Sequence, residues 1–105
     1  MAIMAAHRIT YAATATAAHP EDLARKVRTA IEMKGGMRFL HLLAGCPPGW
    51  KMAADQVIEV MRRAVASKVF PLFEIRDGRE YRITHHPDSF VSVEDYFELQ
   101  GRFAP

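Results

Sequence analysis

The stretch from residue 39 to residue 50 constrains the fold most, because an apolar run leads directly into a rigid loop. The run Phe-Leu-His-Leu-Leu-Ala predicts a strand that is buried on both faces, as in a parallel sheet with helices on each side. The sequence Gly-Cys-Pro-Pro-Gly at 45–49 then ends the strand, since proline cannot donate to a ladder. We therefore expect Cys46, the single cysteine of the chain, just beyond the carboxyl end of a central strand, where open α/β sheets bind ligands.

The residues before this stretch predict a second strand and a helix that precede it. Residues 9–16 are rich in β-branched side chains and predict a strand, while residues 1–8 resemble the last turns of a helix. A helix is expected to begin at Pro20, after His19, and to end at 34–36. Strand, helix and strand with short joints predict a right-handed parallel crossover. The apolar stripe of the helix is formed by Leu23, Val27, Ala30 and Ile31.

The second half of the chain predicts a helix, a β-hairpin and a C-terminal helix. The first of these helices covers about 54–68, and its apolar face contains Val57, Ile58, Met61, Ala64 and Val65. The hairpin covers about 70–84. The last helix is expected to begin at Ser92, with Asp95 completing a weak capping box, and to stop at Gly101.

The loop of the hairpin can be read in two ways around Asp77-Gly78. A two-residue loop would put the apolar side chains of the two strands on opposite faces. A three-residue loop at 76–78, with Gly78 left-handed, puts them on one face, and we favour it because the apolar pattern sets the register. These side chains are Phe73, Ile75, Tyr81 and Ile83.

The length and charge of the chain limit the classes of protein to which it can belong. Its 105 residues correspond to one domain or part of one, whose core is marginal without a partner. A net charge of +2 and no basic run with interleaved aromatics argue against nucleic-acid binding. No apolar run approaches the length of a membrane span. A single cysteine excludes an internal disulfide and fits a cytoplasmic protein.

Cys46 is the sharpest candidate for chemistry, and three interpretations of it are open. A buried structural thiol is the commonest role of a free cysteine. A nucleophile would need a nearby base, for which His19 at the end of the other strand is a candidate. A metal ligand would need partners from outside the chain, because there is no second cysteine to build a thiolate site.

The other polar candidates carry weaker signals. Thr14 and Thr16 end the first strand at the same edge as Cys46 and could donate to a ligand or a partner backbone, although plain β-propensity is the stronger explanation. The five histidines show no metal-ligand spacing: His41 fits a core or interface position, and the pair at 85–86 fits a solvated turn. A glycine-rich phosphate loop and paired carboxylates are both absent, so acid–base catalysis by the chain alone has little to use.

Five segments, taken in order, resemble a known family over essentially the whole chain. Together they resemble the C-terminal part of the β subunit of 2-oxoacid:ferredoxin oxidoreductases of the pyruvate synthase type. The Cys-Pro-Pro-Gly-Trp loop and the terminal Leu-Gln-Gly-Arg-Phe are the specific pair. The segments are Tyr-Ala-Ala-Thr-Ala-Thr at 11–16, His-Pro-Glu-Asp-Leu at 19–23, the stretch at 41–50, Phe-Pro-Leu-Phe-Glu-Ile at 70–75 and the sequence at 99–103.

The resemblance implies a fold and a set of cofactors. Residues 1–105 would be the C-terminal portion of a thiamine-diphosphate-binding fold, a partial doubly wound parallel sheet with a hairpin and a C-terminal helix. In this family the β subunit binds thiamine diphosphate, Mg²⁺ and one [4Fe-4S] cluster. Cys46 inherits the role of the last cluster ligand, and Thr14, Thr16 and Trp50 would lie near the thiamine or the cluster. The other three thiolates and the segment that holds Mg²⁺ and diphosphate belong to an upstream region that this sequence does not contain.

The resemblance also implies an activity that exists only in a complex. The holoenzyme cleaves a 2-oxo acid, transfers the acyl group to coenzyme A and passes electrons singly to ferredoxin. The partners would be other oxidoreductase subunits or the missing N-terminal part of the β subunit, and we expect self-association when the chain is isolated. The alternative is a small non-catalytic α/β assembly or interaction protein, a truncated relic of that subunit in which Cys46 has no role.

Overall fold

The computed structural model describes residues 1–105 and contains five α-helices and four β-strands. None of the helices is long and apolar enough to cross a membrane. Two single 3-10 turns, Ala54–Gln56 and Gly101–Phe103, accompany the regular elements. These elements are α1 (Ala2–Ala6), β1 (Tyr11–Thr16), α2 (Pro20–Glu32), β2 (Arg38–Leu43), α3 (Pro47–Trp50), α4 (Val57–Ala66), β3 (Phe73–Arg76), β4 (Glu80–Ile83) and α5 (Val93–Glu98).

The four strands form one mixed sheet in the order β2-β1-β3-β4. β1 and β2 are parallel, in register from the pair Tyr11 and Arg38 to the pair Thr16 and Leu43. The helix α2 connects them, as the pattern of strand, helix and strand predicts. The hairpin of β3 and β4 joins the same sheet, because β3 pairs antiparallel with β1. The α/β class is therefore confirmed, and the parallel part of the sheet consists of one strand pair.

The central strand of this sheet is β1 and not β2. All six residues of β1 are buried, whereas no residue of β2 is fully buried. Leu42, in the apolar run of β2, is 51% exposed. The prediction that this run forms a central strand covered on both faces is therefore wrong within this chain. β2 lies at an edge, and no segment of the chain pairs with its outer side.

Helices contact both faces of the sheet. Ala5 and Ile9, in and just after α1, pack on Ala12 of β1 and Ile75 of β3. α4 reaches the same face, because the Thr16 hydroxyl contacts the Met61 sulfur at 3.2 Å and side chains alternate along β1. The opposite face carries α2, whose polar side chains reach the sheet. Part of a doubly wound arrangement is thus present.

The faces that α2 and α4 bury differ from the predicted stripes. In α2 the side chain of Ile31 is 73% exposed, while Lys26 is completely buried. In α4 the prediction is confirmed for Met61, Ala64 and Val65, which are buried. Ile58 is instead 41% exposed, and Val60, outside the predicted stripe, is buried. Helical periodicity selects a face from apolar residues alone, whereas here a buried ion pair orients α2 and the packing of α5 orients α4.

The hairpin confirms the favoured facing of its side chains, with the loop shifted by one residue. Phe73 lies opposite Ile83 and Ile75 opposite Tyr81, so all four side chains share a face. The loop spans 77–79, closed by the bond from the Arg79 N–H to the Arg76 carbonyl at 3.0 Å. Gly78 is left-handed with φ of 66°, as predicted, and the preceding aspartate is also left-handed.

The start of α5 matches the predicted capping box. The Ser92 hydroxyl accepts from the Asp95 N–H, and the Asp95 carboxylate accepts from the Ser92 N–H. The helix is joined to α4 by Arg63, which donates to the Asp95 carbonyl at 2.8 Å. The start of α5 is therefore attached to α4, and the chain continues from α5 toward the loop that contains Cys46.

Candidate functional site

Cys46 lies in a tightly bonded loop after β2, which we call the cysteine loop (residues 45–52). It is the N-cap of α3, and its carbonyl accepts from the Trp50 N–H at 2.8 Å. Lys51 then adopts a left-handed conformation with φ of 52° and ends the turn. The Met52 N–H donates to the Pro47 carbonyl at 3.0 Å, and the Met52 side chain is buried. The loop therefore turns back on itself and is anchored in the core by one side chain.

The thiol of Cys46 is exposed at the rim of this loop. A Cβ on Gly49 would lie 3.2 Å from the Cys46 sulfur, so glycine leaves the thiol its room. A Cβ on Gly45 would lie 2.8 Å from the Met52 methyl group and 2.9 Å from Val57. The interpretation of Cys46 as a buried structural thiol is thus contradicted, because Cys46 is exposed.

A polar cleft of about 520 Å³ opens after the carboxyl end of β1. The rings of His19 and His85 meet in it with centroids 4.4 Å apart. His85 is therefore half-buried against another ring, and the prediction of a solvated turn is wrong for it. The cleft is lined by Ala18, His19, Pro20, Glu21, Asp22, Arg25, Thr84 and His85.

His19 is kept neutral in this cleft. Its Nε2 atom is buried without a hydrogen-bond partner. Burial, followed by the neighbouring His85, lowers the pKa of His19 below its ordinary value. The ring packs on His85 and makes no hydrogen bond to Cys46. The two groups are not brought together as a nucleophile and its base.

A buried ion pair beneath the cleft joins α2 to β1. Lys26 is fully buried, and its ammonium donates to the Thr14 carbonyl at 2.7 Å and to Asp22 at 2.6 Å. Burial lowers the pKa of Lys26, and its bond to Asp22 offsets part of that effect. Burial also acts to raise the pKa of Asp22, but the hydrogen bond and charge of Lys26 outweigh it and leave that pKa below its usual range.

A second buried carboxylate extends the same network to β3. Glu74 is 1% exposed and accepts from the Tyr11 hydroxyl at 2.8 Å and from Arg25 at 3.4 Å. Burial and the adjacent Glu74 carboxylate raise the pKa of Tyr11, so the phenol keeps its proton. Arg25 also donates to Asp22 at 3.0 Å. Sequence reasoning missed this network, although acid and base at 22 and 26 have the spacing of a helical ion pair.

The two predicted threonines have structural partners in this chain. The Thr14 hydroxyl donates to the Pro71 carbonyl at 2.7 Å and accepts from the Phe73 N–H at 2.9 Å. The Thr16 hydroxyl contacts the Met61 sulfur. Both residues are buried. Their contact with thiamine diphosphate stays a prediction, and the bonds of their hydroxyls do not support it.

The remaining candidates are Trp50, within the cysteine loop, and His41, in the strand before it. Trp50 is half-buried, and the Arg102 guanidinium lies 3.9 Å from the centre of its ring. His41 packs edge-on against Phe70 with ring centroids 5.4 Å apart, which agrees with an interface position rather than a metal site. No three His, Cys, Asp or Glu side chains are close enough together to hold a metal ion.

Comparison with known proteins identifies the relatives of this arrangement. The pyruvate synthase subunit PorB of Methanocaldococcus jannaschii is 43% identical over 96% of this chain. The ketoisovalerate oxidoreductase subunit VorB of Pyrococcus abyssi is 44% identical over 96% of the chain, and the PorB subunit of Thermotoga maritima is 39% identical over the same share. The chain matches the C-terminal part of these subunits. The resemblance inferred from the sequence motifs is thereby confirmed.

The match has a clear limit in length. The chain spans about a third of the length of these curated relatives, between 31% and 33% of each. No protein-family model matches it. The segment that matches PorB and VorB contains β1, β2 and the cysteine loop, so the exposed thiol and the unpaired edge of β2 both lie inside the matched segment.

Proposed function

We propose that the chain is a component of a 2-oxoacid:ferredoxin oxidoreductase of the pyruvate synthase type. Such an enzyme oxidatively decarboxylates a 2-oxo acid to acyl-CoA and passes the electrons through a [4Fe-4S] cluster to ferredoxin. The observation that carries the proposal is the identity of 43–44% to PorB and VorB subunits across 96% of the chain. The chain acts as part of a cytoplasmic complex and has no activity of this class alone.

Cys46 is the residue that we assign to the cluster. Its thiol is exposed and unhindered, which suits a ligand that completes a site built by another segment. One thiolate holds one corner of a cubane cluster, so three further ligands come from outside this chain. When bound, the cluster would take up and release electrons one at a time. Trp50 would form an apolar wall beside it, because the ring follows the thiol in the same short helix.

Thiamine diphosphate and Mg²⁺ belong to the rest of the complex in this proposal. The chain offers no set of acidic or imidazole side chains for a metal ion, and the hydroxyls of Thr14 and Thr16 are committed to internal contacts. These two residues would support the edge of the sheet near the cofactor by holding β1 to the segments around it. The contribution of this chain to the thiamine site is therefore the shape of the sheet edge.

The unpaired edge of β2 is an argument for a further segment that pairs with it. The side chain of Leu42 in β2 is 51% exposed, and that of Met37, just before the strand, is 54% exposed. A strand with free N–H and C=O groups and apolar side chains is a template for further pairing. The part of the relatives' length that this chain does not match would provide such a segment, whether as a separate subunit or as an N-terminal part.

Anaerobic purification of the chain from its own cells tests the proposal directly. We expect native mass spectrometry to show it bound to larger chains, together with iron and thiamine diphosphate. A lone, iron-free chain or homo-oligomer would overturn the proposal and favour the alternative of a non-catalytic relic. Ferredoxin reduction by the purified complex, dependent on a 2-oxo acid and coenzyme A, measures the activity itself.

In isolation we expect the chain to self-associate through the β2 edge. Leu42→Lys should shift the association to at least several-fold higher concentration, because it adds a charge to the edge strand. Ile83→Lys is the matched control, since Ile83 is 56% exposed on β4 at the other edge. Sedimentation velocity across a concentration series measures the effect. A clean monomer at high concentration, or an equal effect of both variants, would contradict the prediction.

A further inference from the structure

We propose that Arg102 is a positioning residue for the cysteine loop, acting through Trp50. The guanidinium lies 3.9 Å from the centre of the Trp50 ring, within the range of a strong cation–π contact. The same guanidinium lies 4.6 Å from the centre of the Phe103 ring. The charged group therefore contacts two aromatic rings, one in the loop and one in the C-terminal segment (residues 100–103).

Arg102 is itself fixed by groups that belong to the folded body. Its Nε donates to the Gln100 carboxamide oxygen at 3.0 Å, and one Nη contacts the Tyr96 hydroxyl at 3.3 Å. Gln100 is 2% exposed and donates to the Tyr96 carbonyl at 2.5 Å. Tyr96 is buried with Met52, Val60 and other residues of the α4 and α5 cluster. The stacking partner of Trp50 thus has a defined place.

A second contact between the same two segments lies next to the stack. The Gly101 N–H donates to the Lys51 carbonyl at 2.8 Å. A Cβ on Gly101 would lie 2.9 Å from that carbonyl oxygen, which is backbone and cannot move aside cheaply. Glycine therefore permits the close approach of the C-terminal segment, and it does so one residue before the arginine.

The cysteine loop needs such a contact because it is too short to hold itself. α3 has four residues, and a helix of that length is not stable on its own. Its only internal restraints are the bonds that return to Cys46, Pro47 and Pro48. Contacts from outside the turn therefore fix its orientation, and with it the direction of the Cys46 thiol. The consequence for a cluster rests on the function proposed above, whereas the positioning itself does not.

The chain has one tryptophan and one cysteine, and both lie in this loop, so the proposal can be tested with local probes. In Arg102→Ala we expect the Trp50 emission to shift to longer wavelength. Exchange of the Trp50 and Met52 amide hydrogens should be roughly 2- to 30-fold faster, the range that corresponds to one cation–π contact. Exchange of the β1 amide of Ala13 should stay within about twofold of the original rate. Alkylation of the Cys46 thiol should also change in rate.

Two further variants separate positioning from a general effect on stability. Arg102→Lys should recover part of the emission and exchange of the original chain, because an ammonium also binds an aromatic face. Arg79→Ala removes an exposed arginine of the hairpin loop and should change none of the probes. Unchanged emission and exchange in Arg102→Ala would overturn the proposal, and so would equal acceleration in β1. None of these probes needs a cluster, so loss of the cluster assignment would leave this result standing.

Discussion

Asp22→Asn is expected to lower the free energy of unfolding by about 3 kcal/mol at neutral pH. The carboxylate is the charged partner of Lys26, which is completely buried. Removing the negative charge leaves an ammonium in the interior with neutral acceptors alone, the Thr14 carbonyl and the new carboxamide oxygen. Breaking one side of a buried pair costs more than the pair itself contributes, because the surviving charge stays desolvated. Urea unfolding at concentrations that keep the chain monomeric measures the change.

Two controls identify the buried pair as the cause. Glu21→Gln removes a neighbouring exposed carboxylate of the same helical turn and should change stability by no more than about 0.5 kcal/mol. Asp22→Asn combined with Lys26→Met removes both charges and should recover most of the lost stability. Equal losses in the single and double variants would show that Lys26 is not the source of the penalty.

The same substitution should change the acid limb of the stability curve. The pKa of Asp22 lies below its usual value in the folded chain, so the unfolded chain binds the proton more readily. The contribution of Asp22 is therefore fully present above about pH 4, and it is lost as the pH falls through the lowered pKa. Asp22→Asn should flatten this part of the curve. An unchanged acid limb would show that Asp22 does not titrate with folding.

Local sequence signals were sufficient for elements whose cause is local. The proline after His19 placed the start of α2, and the serine and aspartate at 92 and 95 placed the start of α5. The alternation of apolar residues predicted that the apolar side chains of the hairpin share one face, although the loop lies one residue further along the chain than predicted. In each case a few neighbouring residues determine the backbone, so a single sequence contains the necessary information.

The predictions that were wrong concern the segments that pack against a helix or strand. The apolar run of β2 predicts burial on both faces, and the chain leaves it at an edge because no segment present pairs with its outer side. Ile31, in the predicted apolar stripe of α2, is exposed as well. The burial of Lys26 was not predicted, because it depends on Asp22 and on the sheet beneath it. Each of these depends on contacts that a periodicity argument does not include.

In the candidate site, too, features with local causes could be predicted and long-range contacts could not. The position of Cys46 just after the end of a strand follows from the glycine and prolines around it, and the structure places the residue there. The contact of the C-terminal segment with the loop joins residues about 50 positions apart in sequence, such as Trp50 and Arg102. The motif resemblance singled out both segments together, but it contained no information that they touch. Only the packed structure provides that link.

Cys46→Ser and Cys46→Ala in the assembled oxidoreductase are expected to remove or destabilise the [4Fe-4S] cluster. We expect a loss of cluster iron and of the reduced-cluster signal in electron paramagnetic resonance, with ferredoxin reduction falling in parallel. Alanine removes the ligand atom altogether, whereas a serine oxygen is a poorer ligand for iron than a thiolate. Stability of this chain should change by no more than about 0.5 kcal/mol, because the thiol is exposed.

A control next to the cysteine loop distinguishes ligand loss from damage to the loop. Ala53→Ser alters an exposed position just after the cysteine loop and should leave iron content and ferredoxin reduction unchanged. Unchanged iron content and unchanged ferredoxin reduction in Cys46→Ala would remove the cluster assignment. Loss of iron in Ala53→Ser as well would instead assign the effect to the loop conformation. Because Trp50 lies in the same loop, its emission reports in every variant whether that conformation has changed.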